Sequence, residues 1–280
     1  MYDWKVEHNT LTLNITNQED KWILDKVKGT SPVPTTFNET TMIGVDGVTL
    51  NGSKRSKRNL VFTLFIEGDC EANRDELYEF FTPNNSVRLY CDTPYKQVYI
   101  DGVVETCECE VYEQVEVMQI SVLCPDPHFK KVEATESFNM AQTGGITFPL
   151  SVEHDDTIIL GEFFFNNQVI LYNSGRTEIG FDVTIELFND TNIVTLFNVD
   201  NENEYLSFSG DFKTNDILHI NTNHRVRNRA TITRGNVTTS LLNKLVAGST
   251  WIKLNTDVKV IGCNENCYME FITRDEVVGL

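Results

Sequence analysis

The stretch 87–130 constrains the fold of this chain more than any other, because three strand-like runs follow one another within it. The runs cover 87–91, 96–109 and 111–124. In the last of them every second residue from 118 to 124 is apolar, which is the period-2 pattern of a strand with one buried face. Pro125 and Pro127 then end the pairing, because proline has no N–H to donate to a neighbouring strand. The sequence therefore predicts a sheet around which the first half of the chain is organised.

A short amphipathic helix is predicted immediately before this sheet. Leu77, Phe80 and Phe81 lie at positions i, i+3 and i+4, which places them on one stripe of a helix. Asn73 is predicted to cap the start of the helix. Further upstream, 29–41 contains two prolines and many hydroxyl residues, so it is predicted as an extended loop.

The second half is a succession of strand-like runs separated by Asn, Gly and Asp turns, which is typical of a β-sandwich or barrel. The predicted strands are 162–165, 169–172, 180–188, 193–199, 205–209, 217–221, 230–234, 250–254 and 269–273. One turn of helix is predicted in 238–245. The fold class is therefore mainly β.

A domain boundary is indicated by the prolines. All seven lie at or before Pro149, and the remaining 131 residues (280 − 149 = 131) contain none. A chain of 280 residues is long for a single core, so two domains are expected. The predicted ranges are 1–133 for the first domain, 134–145 for a linker and 146–280 for the second domain.

Bulk composition excludes several classes of protein. The chain is 40% hydrophobic and 10% aromatic, so disorder is not expected. It has no run of 18 apolar residues, so no membrane insertion is predicted. Its first residues match no signal peptide, which predicts synthesis in a cytoplasm. The net charge of −18 disfavours binding to a phosphate backbone outside a local basic patch.

The candidate metal ligands have unsuitable spacings. Seven cysteines cannot all pair within one chain, and neither 107/109 nor 263/267 has the C-x-x-C spacing of a zinc site. Most of the cysteines lie in strand-like runs, where a thiol behaves as a small apolar side chain. Two acidic runs, 154–156 and 201–204, offer calcium ligands without the EF-hand pattern. No metal and no cofactor is predicted.

A search for catalytic motifs finds no nucleotide-binding, zinc-protease or serine-hydrolase signature. The segment 105–116 contains five glutamates around two cysteines. Paired carboxylates catalyse glycoside hydrolysis when they face each other across a sugar. With 41 acidic residues, such pairs also arise by chance. The chain is therefore predicted not to be an enzyme, and a hydrolase is kept as a third-ranked hypothesis.

One dense basic cluster lies at 53–58 and contains Lys54, Arg55, Lys57 and Arg58. It has no interleaved aromatic residues for stacking on bases. The cluster is either a solvated hairpin tip or a docking patch for an acidic partner, and it is the candidate assembly patch. Aromatic side chains of the second half have two alternative uses, since they either stack on sugar rings or pack in a core. The candidates are Trp251, Phe163, Phe165 and Tyr172.

An ordered set of segments resembles the distal tail protein family of long-tailed, non-contractile bacteriophages. In the first half the set comprises the Gly-Thr-Ser-Pro-Val-Pro loop at 29–34, then 44–48, 58–64, the helix at 74–81 with its Thr-Pro ending, 99–105 and 120–127. In the second half it comprises 173–175, 181–185, 214–222 and 245–250. The Asp126-Pro127 ending of the first half is the most characteristic of these segments.

The resemblance implies a structural protein of the virion. It implies an N-terminal β-sandwich with one helix, six copies of which form a ring, and a C-terminal galectin-like β-sandwich. The implied partners are the tail tube protein, the tip hub protein and, in some members, a receptor-binding protein. DNA would pass through the ring without specific binding. The alternative function is a carbohydrate-binding module or adhesin that attaches to a host surface.

Overall fold

The computed structural model describes residues 2–44, 46–111, 113, 115–144, 161–223, 226, 229–255 and 258–280, with the backbone alone for 140–144, 161–165 and 202. It divides into two compact units. The first comprises Met1–Glu133 and Glu276–Leu280, and the second comprises Ala134–Asp275. The second unit is therefore inserted into the first along the chain, and both are mainly β.

The first unit is built on a nine-stranded antiparallel sheet and one helix. Its strands are β1 (Asp3–His8), β2 (Leu11–Asn14), β3 (Trp22–Lys28), β6 (Arg58–Ile66), β7 (Ser86–Asp92), β8 (Gln97–Cys109), β9 (Glu116–Cys124), β10 (Phe129–Lys131) and β23 (Glu276–Val277). The order is β2-β1-β7-β8-β9-β6-β3, with β10 paired to both β8 and β23. Two further strands, β4 (Thr35–Thr40) and β5 (Thr49–Arg55), form a separate hairpin.

The predicted central stretch is confirmed, because β7, β8 and β9 are consecutive neighbours in the sheet. The alternating apolar residues of β9 are all buried, and they face the buried positions of β6 across the register Leu64↔Met118 and Phe62↔Ile120. The third run begins later than predicted, at Glu116. Residues 276–280 also belong to this unit, which no local pattern in the chain predicts.

The helix α1 (Cys70–Phe81) buries Leu77, Phe80 and Phe81 as predicted. The predicted cap is wrong. Asp69 caps the helix by accepting a hydrogen bond from the Ala72 N–H at 3.3 Å. Asn73 lies inside the first turn, where its Nδ2 donates to the Glu67 carbonyl at 2.8 Å, because buried backbone acceptors of the neighbouring loop need donors.

The second unit is a β-sandwich of a six-stranded and a four-stranded sheet. The larger sheet has the order β11 (Thr135–Phe138), β22 (Cys267–Thr273), β15 (Phe181–Leu187), β18 (Ile217–Asn221), β19 (Ala230–Arg234) and β20 (Val237–Ser240). The smaller sheet has the order β14 (Gln168–Tyr172), β21 (Val258–Cys263), β16 (Thr191–Asn198) and β17 (Asn201–Phe212). β12 (Met140–Gly144) and β13 (Gly161–Phe165) form a hairpin. One buried cluster takes side chains from both sheets.

Two features of this unit differ from the sequence-based expectations. The segment predicted as a linker, 134–145, carries β11 and β12, and β11 pairs with β22 in the sheet. The predicted strand at 250–254 is not a regular strand. It forms an isolated bridge between Leu254 and Ile179, and the Thr250 N–H donates to the Tyr205 carbonyl of β17 at 2.7 Å. The helical turn predicted in 238–245 is present as a 3-10 helix at Leu242–Lys244.

Among the described helices, none has the length and apolar character needed to cross a bilayer.

Candidate assembly surface

The β4–β5 hairpin stands apart from the sheet of the first unit. Its strands pair with each other from Thr35↔Arg55 to Thr40↔Thr49, with a bulge between Asn38 and Glu39. They have no other strand partner among the described residues. The predicted loop 29–41 is thus a loop through Pro34 and a strand beyond it, because the prolines end before the run of β-branched and aromatic residues begins.

The hairpin exposes several apolar side chains. Phe37 is 51% exposed and Leu50 is 57% exposed. Ile43, in the turn that joins the strands, is fully exposed, and Met42 and Val48 are more than half exposed. A two-stranded hairpin alone is marginally stable in water. Exposed apolar side chains of this kind make the hairpin a candidate surface for packing against another protein.

The base of the hairpin is tied to the body of the first unit through Arg55. Its Nη1 lies 2.8 Å from Nε2 of His128, in the loop that leads into β10. Nδ1 of His128 lies 2.7 Å from Oε2 of Glu276 on β23. The hairpin therefore projects from a defined anchor that joins three segments of this unit.

Arg58 is not part of a surface patch, which corrects one member of the predicted cluster. Its side chain is 1% exposed, and it donates to the carbonyl oxygens of Gly29, Ser31, Pro127 and Val278. The guanidinium also lies over the ring of Phe129, 4.5 Å from the ring centroid. It is buried because these carbonyls belong to loops that the sheet leaves without partners.

The other members of the cluster remain at the surface. Lys54 and Arg55 end β5, and Lys57 lies in the short link to β6. All three are exposed. The cluster thus lies at the base of the hairpin instead of at its tip, and a role in assembly stays a prediction for Lys54, Arg55 and Lys57.

The cysteines of the first unit are packed thiols. Burial raises the pKa of Cys91, Cys107 and Cys124 to about 12. At neutral pH these thiols are therefore protonated, and a thiol in that state is neither a good nucleophile nor a metal ligand. Cys263 and Cys267 are buried in the second unit.

Asp126, His128 and Glu276 place one donor atom each within 4.8 Å of one another. Such a set resembles a metal site, but its donors are already engaged. Nδ1 of His128 bonds Glu276, and Nε2 faces the Arg55 guanidinium. An Asp126 oxygen lies 3.4 Å from Nζ of Lys130. The set is arranged as a hydrogen-bonded relay with two cations beside it.

The carboxylates that line the clefts are engaged as well. A cleft of about 500 Å³ in the first unit contains Glu7 and Asp101. Glu7 accepts a hydrogen bond from the Tyr90 hydroxyl at 2.7 Å, and Asp101 forms a bidentate pair with Arg88. The hydrogen bond to Asp101 raises the pKa of Arg88 further above its ordinary value. This pair therefore lacks the free acid and base that the hydrolase hypothesis requires.

The predicted sugar-stacking and calcium candidates are placed as follows. The ring face of Trp251 is covered by the Arg229 guanidinium, 3.6 Å from its centroid, whereas Tyr172 is exposed. Glu204 of the 201–204 run accepts from Nζ of Lys259 at 2.7 Å, so its charge is balanced by a lysine. The side chains of 163 and 165 and the run 154–156 lie outside the described residues.

Comparison with known proteins gives a fold but no sequence family. No family model matches the chain, and no curated protein matches it. Among solved structures, SPP1 Dit (gp 19.1), described as a paradigm of the hub adsorption apparatus in phages that infect Gram-positive bacteria, aligns with a TM-score of 0.65 over 97% of this chain and 98% of that chain. The sequence identity is 14%.

This chain has the fold of a phage distal tail protein. Two chains of the phage P2 baseplate in its activated conformation, one with Ca and one with Sr, match it as well, each with a TM-score of 0.57, 14% identity and full coverage of both chains. The predicted resemblance is therefore confirmed at the level of fold. The distal tail fold extends over both units, so neither unit is an unrelated addition.

Proposed function

We propose that this chain is a structural component of a bacteriophage tail tip, and that six copies form a ring which links the tail tube to the tip hub protein. The distal tail fold supports the structural role. The observation that carries the ring is the exposed apolar hairpin β4–β5, because an isolated copy leaves Phe37, Leu50 and Ile43 in water. A neighbouring subunit that covers these side chains removes that cost.

A projecting hairpin favours a head-to-tail contact. The hairpin of one copy would contact a different surface on the next copy, since two projecting arms have no concave surface to offer each other. Contacts of this heterologous kind close into rings when the rotation between copies is a fraction of a full turn. We propose the same hairpin, with Lys54 and Lys57 at its base, as the main ring contact.

The remaining partners follow from the position of such a ring. One face would meet the last ring of the tail tube and the other would meet the hub protein, and the second unit would carry receptor-binding proteins. With a net charge of −18, the subunit would not retain the DNA that passes through the ring. The protein would act in the virion.

Mass measurement in solution combined with negative-stain imaging tests the proposal. We expect a ring of six 32.0 kDa subunits, either for the protein alone or after co-expression with the tail tube and hub proteins. Image classes should show six-fold symmetry with a central opening. A protein that stays monomeric at high concentration and never joins the tail proteins would contradict the proposal.

A further inference from the structure

The relay that joins Arg55, His128 and Glu276 connects the proposed assembly hairpin to a titratable group. Nη1 of Arg55 lies 2.8 Å from Nε2 of His128, and Nδ1 of His128 lies 2.7 Å from Oε2 of Glu276. The side chains of His128 and Glu276 are 16% and 11% exposed. The contact between His128 and Glu276 is thus partly desolvated, where a hydrogen bond has more effect than at the surface, and the exposed Arg55 side chain approaches the imidazole from the solvent side.

The geometry requires a neutral imidazole with its proton on Nδ1. An arginine side chain has donors and no acceptor, so Nε2 of His128 must accept from Arg55. The carboxylate of Glu276 accepts, so Nδ1 must donate. An imidazolium carries a proton on both nitrogens, and it has no lone pair left for Arg55.

Other charged groups surround the imidazole. On its own loop, Asp126 accepts a hydrogen bond from the backbone N–H of His128 at 3.1 Å. Lys130 of β10 lies 3.4 Å from the other Asp126 oxygen, so this pair is balanced. Among the described residues, the other charges in contact with the ring are Arg55 on β5 and Glu276 on β23.

We propose that Arg55, His128 and Glu276 form a pH-sensitive latch that holds the base of the β4–β5 hairpin when His128 is neutral and releases it when His128 is protonated. Protonation replaces the hydrogen bond from Arg55 with repulsion between two cations. It also converts the contact with Glu276 into an ion pair, so the strand β23 stays attached while the hairpin is freed. Acid therefore weakens the contact of His128 with Arg55 and strengthens its contact with Glu276.

The latch sets the orientation of the hairpin before a neighbouring subunit binds. A held hairpin loses less conformational entropy on binding than a free one, so assembly is favoured at neutral pH and weakened in acid. This consequence for assembly rests on the proposed ring, whereas the release of the hairpin does not. The two are therefore measured separately.

Nitrogen-15 NMR of the histidine side chains at pH 8 tests the proton position, and His128→Gln assigns the signal. The Nδ1–H tautomer is expected for His128, and the Nε2–H tautomer would overturn the latch. Hydrogen exchange of the peptides covering 35–36 and 54–55 tests the release. The protein is kept dilute and dispersed at pH 8 and pH 5, and the wild type is compared with His128→Gln at each pH so that intrinsic exchange rates cancel.

In His128→Gln the amide oxygen of the new side chain accepts from Arg55 at both pH values. The exchange rate of the wild type divided by that of this variant should therefore rise at least five-fold from pH 8 to pH 5. Arg55→Gln should exchange fast at both pH values, and Lys54→Gln, which alters the neighbouring exposed cation, should behave like the wild type. An unchanged ratio would refute the latch even if rings form normally. Absence of rings at every pH, also after co-expression with the tail tube and hub proteins, with the ratio still rising, would instead refute the proposed function.

Discussion

Arg58 and Val278 lie 220 positions apart in the sequence, and Nη2 of the arginine donates to the carbonyl oxygen of the valine at 2.7 Å. The same guanidinium donates to Pro127 at 2.7 Å and to Ser31 at 2.8 Å. Burial lowers the pKa of Arg58 from its ordinary value, and Phe129 covers one face of the group. A single side chain at the start of β6 is therefore hydrogen-bonded to the C-terminal segment 276–280, which follows the second unit in the sequence.

Arg58→Met should destabilise the first unit by about 3 kcal/mol or more, because several buried carbonyls lose their donors at once. Methionine retains much of the packing volume, so the loss reports on the hydrogen bonds. Urea unfolding followed by tryptophan fluorescence measures it, since Trp4 and Trp22 lie in this unit. Lys57→Met is the matched control at an exposed position and should change the free energy of unfolding by less than about 0.5 kcal/mol. Equal effects of the two variants would contradict the role of Arg58.

The sequence predicted the parts of the fold that depend on local periodicity. The alternation in β9 and the stripe of Leu77, Phe80 and Phe81 both arise from burial of one face, which leaves a regular pattern in the chain. The same reasoning failed where contacts across large sequence separations decide the structure. Arg58 looked like one more basic residue beside Lys57, since no local signal distinguishes a buried arginine that binds distant carbonyls.

The predicted basic cluster lies at the base of the hairpin, where Arg55 contacts His128, and its role in assembly stays a prediction. The exposed apolar residues of the hairpin were missed, since the prolines before Thr35 favoured a loop. The available signal for a strand pair was the presence of Phe37 and Leu50 among polar residues, because aromatic and aliphatic side chains favour strands. His128 and Glu276 are 148 residues apart in the sequence, so no local pattern predicts that their side chains are in contact.

Phe37→Ser combined with Leu50→Ser should abolish ring formation without unfolding the subunit. Both side chains are more than half exposed, so their loss removes little packing within one copy. Light scattering measures the oligomer and circular dichroism measures the fold. Val237→Ser, an exposed apolar position in the second unit, is the control and should leave the ring intact. Rings that form normally from the double variant would exclude the hairpin as the main contact.

Arg234→Met should destabilise the second unit at pH 7, because it leaves the buried Asp216 carboxylate without its bidentate partner. The hydrogen bonds from Arg234 lower the pKa of Asp216. That stabilisation is present above the pKa of the unfolded chain and is lost as the pH falls through the folded value. The effect of the variant should therefore shrink toward pH 3. Unfolding monitored by the fluorescence of Trp251 measures it, and Lys213→Met, which alters exposed ion pairs, should have a much smaller effect.

The buried thiols should make the first unit sensitive to alkali. The folded pKa of Cys124 is about 12, against 9.0 for a free thiol in an unfolded chain, because burial disfavours the thiolate. A group whose folded pKa is raised contributes stability below the unfolded pKa and loses it as the pH rises toward the folded pKa. At pH 11 the loss is about 3 kcal/mol, since two pH units beyond the unfolded value each cost about 1.4 kcal/mol.

Cys124→Ala removes the titrating group, so its free energy of unfolding should fall less than that of the wild type between pH 8 and pH 11. Cys70→Ala changes a cysteine at the start of α1 that is less buried, and it should retain the wild-type slope. Identical slopes for Cys124→Ala and the wild type would show that the thiol ionises without loss of the fold.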